Sequence, residues 1–420
     1  MVTDVKSVRE GYKMTELGEI PEEWEVVELS NVINNFLVPM RDKPKVFDGD
    51  IPWCRIEDIE GKYLNDSKSA QRITIETLAE MNLKLIPKGS VICSCSARLG
   101  VCAITTKELT TNQTFIALVP GENVNNEFLY YLMTKQASRL QSLSSGTTIA
   151  YLSRKQFEQF KVVMPTLKEQ LKIADILSTV DETIEKTDQL LEKTKELKKG
   201  LMQQLLTKGI GHTTFKQTEL GEIPEGWEVF VLSDLVHKIV GGGTPSRKKI
   251  EYYSGDIPWF TVKDMDGSFY KDISQEYINE VAIQKSSANL IDPKKVIIAT
   301  RIALGRGFIN TVSISINQDL KAVYLNEEKV LADYFLYWYL SQAEKIEGLG
   351  SGSTVKGIRL EQLKGLNVPV PSLLEQQKIA RFLSSVDEQI SIYKNEKERL
   401  KELKKGLIQK LLTGKIRIKV

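Results

Sequence analysis

Cys93, Cys95 and Cys102 place three thiols within ten residues, close enough to offer three sulfur ligands to one tetrahedral zinc ion. A fourth ligand is missing: Cys54 lies far upstream, and no histidine follows at a usable spacing. The residues read better as reduced thiols buried in strands. His212 and His237, near a linker and a predicted loop, have no obvious partner for acid–base work. Gly241-Gly-Gly-Thr-Pro245 is a Gly-rich loop that could cradle phosphate, but the Lys-Ser/Thr that would complete such a cradle does not follow it. Its counterpart earlier in the chain, near Phe36 to Pro39, has no glycine, so a turn is the better reading. A His-Glu-x-x-His zinc pair and the adjacent prolines of an amino-methyltransferase loop are both missing from the sequence. These observations predict a chain that makes no bonds of its own and needs no cofactor or metal.

The elements that must position any functional residue come from a chain of 420 residues, 41% hydrophobic and 27% charged, an ordinary soluble composition with room for two or three domains. A formal charge of +2 predicts that any polyanion-binding surface is local and is balanced by acidic residues elsewhere. Met1 to Glu10 is polar, and no apolar run approaches the about eighteen residues of a membrane span, so the expectation is a cytoplasmic protein with no membrane partner.

The dominant pattern is a duplication. Thr15 to Ser30 returns as Thr218 to Ser233 with thirteen of sixteen positions identical. Gly49-Asp-Ile-Pro-Trp53 matches Gly255-Asp-Ile-Pro-Trp259, Asn112-Gln113 matches Asn317-Gln318, and Ser145-Gly-Thr-Thr148 matches Ser351-Gly-Ser-Thr354. One long unit written twice implies a pseudo-dimer within one chain. Each unit closes on a long helix, with Ile173, Leu177, Val180, Ile184, Thr187 and Leu191 in the first and Ile379, Leu383, Val386, Ile390 and Tyr393 in the second alternating four and three residues apart. The second seam is expected to continue through Leu400, Leu403 and Leu407. Each helix is the economical partner for the other, although Tyr393, Lys397 and Leu400 replace Thr187, Leu191 and Thr194 and leave the middle imperfectly matched.

The expected organisation is an N-terminal segment over 1–14, a first domain over 15–165, a helix over 166–207, a linker over 208–217, a second domain over 218–371, a helix over 372–413 and a tail over 414–420. Ser90 to Ala103 and Lys295 to Ile309 read as paired strands, whereas Phe128 to Leu132 and Phe335 to Leu340 read as buried helix faces. The fold class is therefore α+β: two similar globular domains separated by a long antiparallel two-helix coiled coil, related by a pseudo-two-fold axis. Gly200 and Gly406 interrupt the helices at matching places, and a close helix crossing or a kink is preferred there over a tolerated defect.

In combination, Gly-Glu-Ile-Pro-x-x-Trp, Gly-Asp-Ile-Pro-Trp, Asn-Gln, Ser-Gly-Ser/Thr-Thr, Pro-x-Leu-x-Glu-Gln-x-Lys-Ile-Ala and Leu-Lys-Lys-Gly-Leu resemble the specificity subunit of type I restriction-modification systems. The likeness runs through nearly the whole chain in both halves. It implies a non-catalytic subunit that reads a bipartite, asymmetric site on double-stranded DNA with two target recognition domains. It also implies a helical pair acting as a ruler between half-sites, docking of two methyltransferase subunits, and two restriction subunits completing a nuclease. A non-catalytic coiled-coil adaptor that assembles partner proteins without reading DNA sequence is the alternative.

Base reading calls for Arg or Lys toward guanine and Asn or Gln toward adenine, with Ser and Thr more permissive. On that reading the polar loops flanking strands supply the candidates. These are Arg41, Lys43, Arg55, Ser96, Arg98, Asn112, Gln113, Thr147 and Thr148 in the first domain. In the second they are Thr244, Ser246, Arg247, Lys248, Lys263, Arg301, Arg306, Asn317, Gln318, Ser353, Thr354 and Lys356. Because Asn112 and Asn317 are shared by domains that should read different bases, a role in holding the fold is expected for them.

Overall fold

A computed structural model describes residues 8–39, 43–96, 98–144, 151–351 and 356–418. The chain divides into two compact units, one formed by residues 1–188 and 395–420, the other by 189–394. The division runs through both long helices, Leu167–Lys208 and Leu373–Leu411, so each unit contains one segment of each.

In the first unit a five-stranded sheet is ordered Ile33–Leu37, Phe115–Pro120, Val91–Ser94, Cys102–Thr105, Tyr63–Leu64, antiparallel except at its last pair. Alternate residues go to opposite faces. Val91, Cys93, Ile104, Ile116 and Leu118 join a core with Phe128, Leu129 and Tyr131 of the helix Asn126–Lys135. Ile92, Ala103, Phe115 and Ala117 join a second core with Cys54, from a strand of a smaller sheet, and with Leu109, which bridges to Ile86. Covering both faces explains why Val91–Ser94 is an unbroken buried run. Each fully buried large side chain contributes about 1.5–3 kcal/mol.

The second unit repeats this order with Val236–Gly241, Leu320–Leu325, Val296–Ala299, Gly307–Asn310 and Tyr270–Lys271, and its strands likewise split between two cores. All four cysteines are free and buried, with Cys93 Sγ and Cys102 Sγ 3.4 Å apart across neighbouring strands. That pairing, together with burial, holds the Cys93 thiol well above its usual range, and burial, with the Asp58 and Asp66 carboxylates nearby, pushes Cys54 up to about 12.

The Glu-Gln pair of each repeat ties its helix to its domain. Gln170 Oε1 accepts the Asn125 amide at 3.0 Å, and its Nε2 donates to the Asn123 and Pro165 carbonyls. Gln376 does the same for Leu331, Lys329 and Pro371. Glu169 accepts the Trp24 indole at 2.9 Å and the Arg417 guanidinium, whereas Glu375 accepts the Trp227 indole at 3.1 Å and bonds His212 at 2.8 Å. His212 thus has a partner that its sequence neighbourhood did not suggest.

In the first unit Lys397 pairs with Asp188 and Lys404 with Asp181, both at 2.5 Å, so its two helix segments run antiparallel. In the second unit Lys198 pairs with Asp387 at 2.6 Å, while Leu205 and Leu206 share a core with Ile379, Ala380 and Leu383. Ile173, Leu177, Leu191, Ile379, Leu383 and Ile390 are buried, and Val180, Ile184, Val386 and Tyr393 half-buried.

Two expectations are corrected. Leu403 is 51% exposed: continued from Tyr393 at four and three residues, the seam passes through Lys397, Leu400, Lys404 and Leu407, and lysine stems line it with their ammonium groups paired. Gly200 and Gly406 mark no close crossing, since a Cβ built at either meets nothing within 4 Å.

Candidate nucleic-acid interface

In each unit backbone hydrogen bonds gather several loops onto one sheet edge. In the first, the Asn112 amide donates to the Cys54 carbonyl at 3.2 Å, Cys95 to Thr114 at 2.8 Å, and Leu152 to Cys95 at 2.8 Å. The strand end at Cys54, the loop after Val91–Ser94, the Asn112–Thr114 turn and the chain at Leu152 therefore converge. In the second, Asn317 donates to Phe260 at 2.9 Å, Thr300 to Asp319 at 2.8 Å, Ile358 to Thr300 at 3.0 Å, and Gly243 to Ile316 at 3.0 Å. A Cβ at Gly242 would fall 1.8 Å from the Ile316 carbonyl oxygen, so the loop of three glycines is a close backbone approach within this edge.

Buried carboxylates shape the edge. Asp58 accepts the Arg55 amide at 2.6 Å and the Lys68 amide at 2.8 Å; Asp264 accepts those of Thr261 and Gln275, each at 2.8 Å. The signal for them was present as an aspartate five residues beyond each Gly-Asp-Ile-Pro-Trp motif, at capping-box distance from Arg55 and Thr261. Asn317, buried, donates to the Asp319 carboxylate at 3.0 Å and accepts the Asp319 amide at 3.1 Å, while Asn112 Oδ1 accepts the Thr114 hydroxyl at 2.6 Å. Both asparagines hold turns together, the role anticipated for them.

Lys43 and Arg55 both lie over one aromatic platform, their charges 5.8 and 5.9 Å from the centre of the Trp53 ring. Arg55 reaches Ser69 Oγ at 3.4 Å, and its Nε, with no hydrogen-bond partner, lies 4.0 Å from the Glu57 carboxylate. Ser96 bridges to Tyr151, and Arg98 and Gln113 are exposed on the same edge. Thr244 donates to Gln318 Oε1 at 2.6 Å; Ser246, Lys248, Lys263 and Lys356 are exposed. Arg301 pairs with Asp319 at 3.2 Å and bridges to Gly357, bringing it beside Lys356.

Two candidates are engaged elsewhere. Arg247 lies over the Tyr253 and Trp259 rings and forks onto Glu276 at 2.6 and 2.7 Å, which lowers the Glu276 carboxyl below its ordinary range. Arg306 donates to the Met265 carbonyl at 3.3 Å and lines a cleft of about 320 Å³ with Asp266 and Lys271. Arg41, Thr147, Thr148, Ser353 and Thr354 lie outside the described residues.

The scaffold is shared by the two units and the rim is not: Arg55, Ser96, Arg98 and Val101 occupy the places of Thr261, Arg301, Ala303 and Arg306. Among the described residues no group of acidic, histidine or cysteine side chains could hold a metal ion, and no helix is long and apolar enough to cross a membrane.

A duplicated α+β body, with one hydrogen-bonded edge carrying a different set of polar side chains in each copy, is the architecture of a two-site recognition protein. Residues 21–196 and 224–402 each match the family described as type I restriction modification DNA specificity domain, and the chain belongs to that family. The putative type I restriction enzyme MjaX specificity subunit of Methanocaldococcus jannaschii is 32% identical over 98% of this chain and 97% of its own. The MjaIX specificity subunit of the same organism is 28% identical over 97% and 96%. The fold is also that of the S subunit of a type I restriction-modification system from M. genitalium, with a TM-score of 0.59, 15% identity, and 95% and 97% of the two chains covered.

Proposed function

We propose that this chain is the DNA-reading subunit of a type I restriction-modification enzyme, that each unit reads one half of a split, asymmetric site on duplex DNA, and that the paired long helices set the gap between the halves. The observation that carries this reading is a scaffold shared by the two units beneath a rim that differs between them. Asn112 and Asn317, or Asp58 and Asp264, do the same work in both units, while the half-buried Arg55 and the exposed Arg98, Arg301 and Lys356 fall at non-equivalent places. Two rims that differ in donors and acceptors select two different base patterns. Because B-DNA repeats every ~34 Å, a spacer of fixed length converts protein geometry into half-site spacing.

On this reading the chain carries no catalytic residue. Methyltransferase subunits, two per chain, supply the chemistry, and two restriction subunits join them to make the nuclease. The relative in a structure described by complex assembly and conformational transition of the type I R-M system, with 18% identity and a TM-score of 0.58, supports an assembly of this kind. The test is selection of randomised duplexes on the assembled complex. Enrichment of one split motif, with no methylation by the isolated chain in S-adenosylmethionine, is expected. Failure to enrich any motif would leave an adaptor, and methylation by the isolated chain would overturn the non-catalytic assignment.

A further inference from the structure

Among the described residues four non-glycines have positive φ, and one of them is β-branched: Ile302, at +67°. The Ala303 amide donates to the Arg301 carbonyl at 2.8 Å, closing a γ-turn of the rare, strained hand around it. The backbone there is pinned on both sides, by Ile302 N to the Lys356 carbonyl at 3.1 Å and by Ile358 N to the Thr300 carbonyl at 3.0 Å. In the first unit the Arg98 amide makes the matching bond to the Ser96 carbonyl at 2.7 Å. Isoleucine is the wrong residue for this conformation, and burial does not compensate, because its side chain is 61% exposed. A strained turn that holds an apolar side chain out into solvent has its return outside the folded chain.

The surroundings indicate the ligand. Ile302 follows Arg301, which pairs with Asp319, and bonds through its amide to the Lys356 carbonyl, so its backbone joins two basic residues of the edge assigned above to DNA, and its side chain brings no hydrogen-bonding group. What it can recognise between phosphates is an apolar feature of a base edge, and in the major groove that feature is the C5-methyl of thymine. Resting on the DNA-reading assignment, we propose that Ile302 reads a thymine methyl in the half-site bound by the second unit. Strain fixes the side chain's direction before binding, so little is lost in ordering it.

The experiment uses the assembled complex and the split duplex it enriches, with each thymine replaced in turn by deoxyuridine, which removes only the methyl group. One position in one half-site should weaken parent binding about four-fold, the worth of one buried methyl. Ile302→Gly should bind parent duplex more weakly by a similar factor and lose its response at that position alone. Its thermal midpoint should not fall, since glycine adopts this φ without strain. A half-site without thymine, a parent indifferent to every deoxyuridine, or an Ile302→Gly complex with unchanged methyl sensitivity overturns the proposal while leaving DNA reading intact. Absence of any enriched duplex defeats the DNA-reading assignment itself.

Discussion

Asp387 binds Lys198 Nζ at 2.6 Å through one carboxylate oxygen and accepts the Tyr337 hydroxyl at 2.9 Å through the other, tying both long helices to the helix Ala332–Ser341. The first unit repeats the arrangement with Asp181, Lys404 and Tyr131. Lys198 and Asp387 are 22% and 28% exposed, so the interaction exceeds a surface ion pair without the full desolvation cost of a core one. Asp387→Leu, which strands both donors, should destabilise the chain by about 1–3 kcal/mol in denaturant titration, and adding Lys198→Met should recover part of that loss. Burial first, and then Asp387, keep the Tyr337 phenol protonated far into alkali. Its contribution is therefore complete below the ordinary tyrosine range and is lost as pH rises through and above it.

Lys135 has the opposite sign. Burial, with Lys415 and Arg139 nearby, pulls its ammonium down to about 8 from an ordinary 10.5. The unfolded chain therefore holds a proton that the folded chain gives up between those values, and stability from this group rises with pH across that window. Lys135→Met keeps the stem and removes the charge. It should gain about 1–3 kcal/mol at pH 7, and its advantage over the parent should shrink as pH approaches 10.5. Parallel melting curves from pH 7 to 10.5 decide it.

The duplication and the long helices were legible because they depend on periodicity and repetition, which burial imposes along the whole chain. The seam was legible to a point. A rule that passes over charged residues chose Leu403 over Lys404, because it cannot see that a lysine stem covers apolar surface when Asp181 stands opposite its head. The rim was less legible still. Arg247 and Lys263 look alike as loop cations, and only a residue distant in sequence, Glu276, engages the first. Ile302 carries no sequence signal at all, since its conformation is set by Lys356 and Ile358 across the turn.

Gly200 and Gly406 should be replaceable. Each sits inside continuous helix with open space where a Cβ would stand, so alanine adds helix propensity and removes freedom from the unfolded chain at no steric cost. Gly200→Ala and Gly406→Ala should each raise stability by about 0.5–1 kcal/mol, and the two should add. A loss in either, measured by thermal unfolding, would restore the close crossing that the helix geometry excludes.

The four thiols should be silent in the native chain, because all four are buried. Burial also pushes Cys95 up to about 11, and burial with Asp58 and Asp66 nearby pushes Cys54 up to about 12, so those two hold almost no thiolate at neutral pH. A disulfide-exchange reagent at pH 7 should label no cysteine before unfolding and all four after it. Rapid native labelling of Cys93 or Cys102 would mean that their strands open locally.

Scaffold and reader can be separated on one edge of the second unit by comparing Asn317 with Lys263. Asn317 is 6% exposed and makes two hydrogen bonds to Asp319, the residue that also holds Arg301 and the Thr300 amide. Asn317→Ala removes the partner of Asp319 Oδ2 and of the Asp319 amide, so about 1–3 kcal/mol of stability should go, and with it recognition at every position of that half-site. Lys263 is exposed on its short turn, and the hydrogen bonds it makes there, from its amide to Thr261 Oγ1 at 3.2 Å and from Gln275 to its carbonyl at 3.4 Å, are backbone bonds that alanine keeps. Lys263→Ala should leave stability within about 0.5 kcal/mol, and if its ammonium meets a phosphate, it should weaken all duplexes alike while lowering the slope of log affinity against log salt by about one. Loss confined to one base position would instead place Lys263 on a base edge, and no change in affinity or slope would remove it from the interface.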